Sequence, residues 1–467
     1  MRRRKRESAV PCKNLDGPNS CQANQLAPLS RAQYGCRTMR QRFRVTGGVP
    51  LKGKVKPAGN KNAALPILAA TLLADGPCEV VNVPRISDVD VLLQLLEYLG
   101  ARCDWTSSNA VMVDPSNVEP RRLDPDLCRL LRASVLLAGP MIAKFGHVTL
   151  PPPGGDVIGR RRLDTHFLAL EALGAEVTVG TDFQLEARGL LGTEMFLDEP
   201  SVTATENALM AAAGAKGITV IRNAAAEPHI QDLVVALGTM GVGIEGVGTG
   251  TLTVHGSRNI AGARLEVGPD HVEIGSFIGL AAVTDGEIVV EGVRPSDLRS
   301  ILLTFDRLGV RPRLEGEKLI VEPAQERRIQ PDQGGHVPKI EDGPWPAFPA
   351  DLMSIAVVVA TQCEGMVLMF EKMFESRLFF VDKLVGLGAR VVLCDPHRVV
   401  ISGPSMLQGG VVESPDIRAG MAILLAALAA KGESTIHNIG QIDRGYERID
   451  ERLRSLGARI EREGDEG

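Results

Sequence analysis

Six times along the 467 residues a glycine opens a short run rich in β-branched residues: GPCEVVNV, GHVTLPP, GITVIRN, GEIVVEG, GMVLMFE and GESTIHN, starting at Gly76, Gly146, Gly217, Gly286, Gly365 and Gly432. Each run leads into an amphipathic segment that closes on a glycine, at Gly100, Gly174, Gly241, Gly309, Gly388 and Gly457. A glycine just past the last apolar position marks a helix C-terminus, because it takes the left-handed conformation without a Cβ clash. In the fourth copy Leu298, Ile301, Leu302, Phe305 and Leu308 recur at helical spacing, with Ser296 as the expected N-cap. Short strands such as RLEGEKLIVEP follow, and then an Ala-rich helix such as NAALPILAATLLA or RAGMAILLAALAA. The chain is therefore an α/β module used six times. Six modules exceed one ordinary core, which predicts two lobes of three modules each.

The spacing is nearly constant, and its two exceptions point to function. From opening to closing glycine the distance is 23–25 residues in five copies but 28 in the second. From closing glycine to the next opening one it is 43–46 residues, but 56 before the fifth copy. Insertions in a repeat scaffold fall in loops, and loops on a rigid scaffold carry chemistry. The first insertion lies in PPPGGDVIGRRRLDTH, residues 151–166. Its glycines allow close backbone approach to an anion, and Arg160, Arg161 and Arg162 offer guanidinium forks for phosphate or carboxylate. Asp156 stands among them; a carboxylate beside bound anions is harder to ionise, which suits a general acid. The bland alternative is a Gly-Pro turn with solvated arginines. The second insertion ends in GPWPAFPADLMS, residues 343–354, and sets Asp351 in the first turn of an apolar helix. There it is either a general base or a carboxylate stabilised by the helix dipole.

Composition narrows the class. With 44% apolar and 23% charged residues the chain is neither disordered nor a membrane protein. Its longest uncharged apolar run, residues 419–430, is too short to span a bilayer. A net charge of −5 supplies no field for nucleic acid, so none is expected as a partner. Eight cysteines without a C-x-x-C pair, and no histidine at zinc spacing, fit a reduced cytoplasm and call for no metal or cofactor. Residues 1–38 begin RRRKR but lack the apolar stretch of a secretory signal; a disordered basic tail, or a start codon assigned upstream of Met39, is expected.

Isolated basic residues open otherwise apolar helices: Lys61 with Asn62 in GNKNAALP, Arg132 in LLRASVLLAG, Arg418 in PDIRAGMAILLAA and Arg444 in QIDRGYERI. They are candidate anion ligands at positive helix N-termini. Arg444 has the alternative of pairing with Asp443 or Glu447. At these residues the sequence resembles the UDP-N-acetylglucosamine enolpyruvyl transferases, with motifs in family order from about Arg42 to Glu463. The family's lysine-asparagine pair falls on Lys61 and Asn62, its sugar-nucleotide arginine on Arg132, and its GG-x-x-IG-x-R loop on Gly154 to Arg161. Its S-V-G segment falls on Ser201, Val202 and Thr203, its PAFP-x-D base on Asp351, and its D-L-R and DRGYE segments on Asp416 to Arg418 and Asp443 to Glu447.

The resemblance implies an inside-out α/β barrel, with residues 40–60 and 269–467 as one lobe, 61–268 as the other, and a substrate cleft between them. It implies addition of a sugar hydroxyl across phosphoenolpyruvate followed by loss of phosphate. Asp351 would be the base and Asp156 the acid, with Lys61, Asn62, Arg161, Arg418 and Arg444 holding phosphoenolpyruvate. The UDP-sugar would be met by Arg132, Arg161, Arg162, Leu163, Asp164, Thr165, Ser201, Val202, Thr203, Asp351 and Met373. Most of the family carries cysteine where this chain has Asp156, and fosfomycin alkylates that cysteine, so resistance to the drug is expected. Glu199, Thr203, His271 and Trp345 also depart from the family pattern. A paralogue acting on another nucleotide is the alternative. The chain lacks the GNAGTAMR-type phosphate motif of the shikimate-pathway transferase, which shares the fold, and a six-module DNA clamp would need basic helices around a hole.

Overall fold

The computed structural model describes residues 41–156 and 158–464, and the expected tail lies outside them. The six opening glycines lead into six strands: Cys78–Val81, His147–Leu150, Ile218–Arg222, Glu287–Glu291, Gly365–Phe370 and Glu433–His437. Each is followed by an outer helix: α2 (Ser87–Leu99), α4 (Asp164–Ala172), α6 (Pro228–Thr239), α8 (Arg299–Arg307), α10 (Val381–Gly386) and α12 (Ile449–Ser455). All six closing glycines have positive φ, between 75° and 109°. The Ala-rich segments are inner helices: α1 (Lys61–Ala70), α3 (Ala138–Phe145), α5 (Val202–Ala213), α7 (His271–Thr284), α9 (Met353–Thr361) and α11 (Ile417–Ala429).

Composition separates the two sets. Every residue of α7 and α9 is buried, so these helices are enclosed on all sides, whereas α8 buries only one stripe. Small residues let the inner helices approach: a Cβ on Gly279 of α7 would lie 2.6 Å from Ile355 of α9. Helices inside and sheets outside make an inside-out α/β barrel. No helix among the described residues is long and apolar enough to cross a membrane. Ser296 does not cap α8. Pro295–Leu298 forms a 3₁₀ turn ahead of the helix, and the Ser296 hydroxyl donates to Asp297 instead (2.8 Å).

Among the described residues the strands form six sheets, five of four strands and one of three. Three modules contain a regular βαβ crossover: Glu194–Phe196 lies parallel to Ile218–Arg222 around α5, Lys339–Glu341 to Gly365–Phe370 around α9, and Val411–Glu413 to Glu433–His437 around α11. Around α1 and α7 the partners are exchanged. Lys52–Val55 pairs with Glu287–Glu291, and Arg264–Glu266 pairs with Cys78–Val81. The core residues sort accordingly into two clusters, one running from Ala63 to Val267 and the other from Phe43 to Val55 and Val272 to Ile460. The two crossing segments are bonded to each other, Asn60 N–H to Gly268 O (2.8 Å) and Asp270 N–H to Ala58 O (3.0 Å). Gly59 is required there, since a Cβ would fall 1.7 Å from the Asn82 carbonyl.

The sixth module is completed by the other end of the chain. Gln41–Thr46 lies antiparallel between Glu433–His437 and Arg459–Gly464, with Phe43 and Val45 fully buried. A chain that begins at Gly47 should therefore lose at least the ~3–5 kcal/mol that truncating one buried Phe costs. Thermal unfolding compared with a chain beginning at Met39 checks this, and equal midpoints would contradict it.

Candidate active site

The first residues of all six inner helices, or of the 3₁₀ turns that lead into them, line one cavity of about 620 Å³. Lys61 opens α1, Arg132 opens the turn Arg132–Leu137 before α3, Ser201 caps α5, and His271 opens α7. Asp351 lies in the turn Ala350–Leu352 before α9, and Arg418 lies in the first turn of α11. Side-chain caps hold several starts in place: Asn60 accepts from Asn62 N–H, Asp270 from Val272 N–H and Asp416 from Arg418 N–H, each at 2.8 Å. A helix N-terminus carries roughly half a positive charge, so the convergence makes an anion site from backbone alone.

Side chains add charge of both signs. Arg418 Nε donates to Asp351 (2.9 Å) and Arg377 Nη2 donates to the other Asp351 oxygen (3.0 Å). Burial by itself would raise the Asp351 carboxyl, but Arg418, Arg377 and Lys61 outweigh it and hold it far below the usual carboxylate range. Three buried guanidinium N–H sites, Arg377 Nε and Nη1 and Arg418 Nη1, have no hydrogen-bond partner. Asp88, also buried, joins Lys61 Nζ (3.0 Å) to Arg444 Nε (2.9 Å). Arg444 donates further to Asp156 and to Gln441. Arg444 thus follows the short helix Gly440–Asp443 and does not open one; Asp443 pairs with Arg462 and Glu447 with Asn109. Arg132 donates to the Arg161 carbonyl (2.7 Å), and burial followed by the Arg161 charge pulls its guanidinium down to about 10. Two cations this close call for an anion between them.

The loop bearing Asp156 is docked across the cleft. Ser376 N–H donates to Ile158 O (3.1 Å) and Arg160 N–H to Glu375 (3.3 Å). Gly159 permits this approach at φ +137°, because a Cβ would fall 2.0 Å from the Glu375 carboxylate.

The cavity brings together Lys61, Asn62, Arg132, Asp156, Arg161, Arg162, Ser201, Val202, Thr203, Asp351, Met373, Arg418 and Arg444. Leu163, Asp164 and Thr165 are not among its lining residues: Asp164 pairs with Arg162 (3.0 Å) and the Thr165 hydroxyl donates to Asp198 (2.5 Å). Sequence reasoning passed over Asp88, Arg377, Glu206, Glu227 and His229, which also line the cavity. Asp88 reads as an ordinary first-turn carboxylate of α2. Arg377 could have been found, since it too is a basic residue opening an apolar segment, RLFF.

A relative in Bradyrhizobium diazoefficiens bearing the name UDP-N-acetylglucosamine 1-carboxyvinyltransferase is 58% identical over 90% of this chain and 97% of its own. The chain belongs to that family. A relative of the same name in Treponema denticola is 53% identical over 89% of this chain and 98% of its own. Residues 45–453 match the broader family described as EPSP synthase (3-phosphoshikimate 1-carboxyvinyltransferase). Among solved structures, the enolpyruvyl transferase NikO from Streptomyces tendae superposes with a TM-score of 0.81 at 23% identity, covering 91% of this chain and 99% of that one. EPSP synthase from Acinetobacter baumannii superposes with a TM-score of 0.68 at 17% identity, covering 91% of this chain and all of that one. These two share the fold. Membership of the 1-carboxyvinyltransferase family makes the chain a transferase of the enolpyruvyl class.

Proposed function

We propose that the chain transfers the enolpyruvyl group of phosphoenolpyruvate to the 3-hydroxyl of UDP-N-acetylglucosamine in the cytoplasm, the first committed step of peptidoglycan precursor synthesis. The observation that carries the reading is a pair of carboxylates, Asp156 and Asp351, set among Lys61, Arg161, Arg377, Arg418 and Arg444 where six helix N-termini converge. The cores on either side of the 58–60 and 268–270 crossings act as two lobes that close on the substrates.

In the addition step the sugar oxygen bonds to C2 of phosphoenolpyruvate, its proton passes to Asp351, and C3 gains a proton from Asp156. In the elimination step C3 returns a proton to Asp156, the C2–O bond to phosphate breaks, and the proton held by Asp351 leaves with the phosphate, so that the enol ether and inorganic phosphate form and both carboxylates are restored. The Nη1 groups of Arg377 and Arg418, which lack a hydrogen-bond partner, suit the phosphate and carboxylate oxygens, and their recruitment by substrate loosens the grip on Asp351 that makes it a weak base. Phosphate likewise competes with Asp156 for Arg444. Water excluded on closure would otherwise screen these charges.

Arg377→Ala should raise KM for phosphoenolpyruvate and lower kcat/KM for it by about 10², with a smaller change for the nucleotide sugar. Steady-state kinetics with each substrate varied in turn decides it; an unaltered KM for phosphoenolpyruvate would remove Arg377 from the site. A second reading has one observation behind it. Glu199 and Thr203 line the cavity beside Ser201, where the family pattern has lysine and glycine, so a different acceptor nucleotide is the alternative. A panel of nucleotide sugars separates the two.

A further inference from the structure

One wall of the cavity takes no part in the chemistry above. Glu206 on α5 and His229 on α6 are 1% and 5% exposed, and they line the cavity together with Glu227, His271 and Trp345. Glu206 Oε1, Glu227 Oε2 and both ring nitrogens of His229 are buried without a hydrogen-bond partner. The rings form a short stack: His229 and His271 lie nearly parallel with centroids 6.2 Å apart, and Trp345 meets His271 edge-on at 6.0 Å. Buried polar atoms are nearly always hydrogen-bonded, so four on one wall mark a place for a polar group brought from outside.

The chemistry of the wall says which kind of group. Burial, then the neighbouring Glu227, pushes the Glu206 carboxyl well above its usual range; burial, then His271, pulls His229 down to about 3, and burial brings His271 to about 4. Glu206 as an acid offers an O–H donor, and neutral His229 offers one N–H and one lone pair. Aromatic surface lies alongside. That set complements an uncharged amide carrying a methyl group, and the cation nearest both imidazoles, Arg418, is already held by Asp351. Its position fits as well. Asp351 is close enough to influence both His229 and His271 electrostatically, and Glu206 lies one turn along α5 from Ser201–Thr203. An acceptor sugar with its C3 hydroxyl at Asp351 and its diphosphate toward Arg132 and Ser201 has its C2 substituent next to the reacting oxygen.

Resting on the function proposed above, we infer that Glu206, His229 and Trp345 form the subsite that reads the 2-acetamido group of the acceptor sugar. A site built to hydrogen-bond a substrate group rejects an analogue without it far more strongly than an apolar pocket rejects a missing methyl. The full chain should therefore favour UDP-N-acetylglucosamine over UDP-glucose by about 10² or more in kcat/KM. His229→Phe should cut that ratio about 10–100-fold, mainly through KM for UDP-N-acetylglucosamine, without moving KM for phosphoenolpyruvate. Glu206→Gln, which keeps an uncharged donor and acceptor, should retain most of the ratio, and Glu206→Leu should lose it. Should His229→Phe not fold, His229→Gln, which restores one donor and one acceptor, must keep more selectivity than His229→Ala. Equal losses for both acceptors, or an unchanged ratio in folded His229→Phe and Glu206→Leu, would overturn the assignment. A wild-type chain that turns over neither acceptor would instead overturn the proposed function.

Discussion

Asp351→Asn should lower kcat by about 10²–10⁴ while leaving KM for phosphoenolpyruvate unchanged or lower. The substitution preserves volume and an acceptor oxygen for Arg377 and Arg418 but can take no proton. It also leaves those two buried cations without a carboxylate, which strengthens their hold on an incoming anion. A structural Asp351 would give the opposite pattern, a loss of binding or of folded protein with turnover per bound substrate intact. Asp156→Asn should cost a similar factor in kcat, because it cannot deliver the proton to C3. Each variant needs its melting temperature beside its kinetics. Turnover within threefold of wild type in either variant would mean that the proton transfer runs elsewhere.

The second large effect concerns fosfomycin. None of the eight cysteines lies in residues 151–166, and a carboxylate is a weak nucleophile toward an epoxide, so wild-type enzyme should resist the drug. Asp156→Cys places a thiol beside Arg444, a cation that favours the reactive thiolate. Time-dependent inactivation should appear, with a single covalent adduct at position 156. Mass spectrometry of the treated variant reads it directly. No adduct, in a variant that retains activity, would mean that residue 156 does not face phosphoenolpyruvate.

The repeat plan was legible because each module ends on a glycine whose positive φ leaves a mark in one dimension. The anion ligands were legible for a similar reason: Lys61, Arg132 and Arg418 are charges at the start of helices that are otherwise buried, a contradiction that a ligand or a buried carboxylate such as Asp88 or Asp351 resolves. What stayed hidden depends on partners far away in the chain. Asp88 looks like any first-turn carboxylate until Arg444 arrives from 356 residues downstream. The exchange of strands around α1 and α7 is equally silent, since Lys52–Val55 and Arg264–Glu266 would suit either sheet by pattern. Closure of the sixth module by Gln41–Thr46 also requires two chain ends to meet. Leu163, Asp164 and Thr165 follow the loop arginines in sequence, but α4 begins at Asp164 and carries the chain off the cavity wall.

The most direct test of the account is phosphate release when the purified chain is mixed with phosphoenolpyruvate and UDP-N-acetylglucosamine. Release should require both substrates, and mass spectrometry should find the nucleotide sugar heavier by one enolpyruvyl group in equal amount to the phosphate. Phosphate formed without the acceptor, or an acceptor recovered unmodified while another nucleotide gains the enolpyruvyl group, would contradict it.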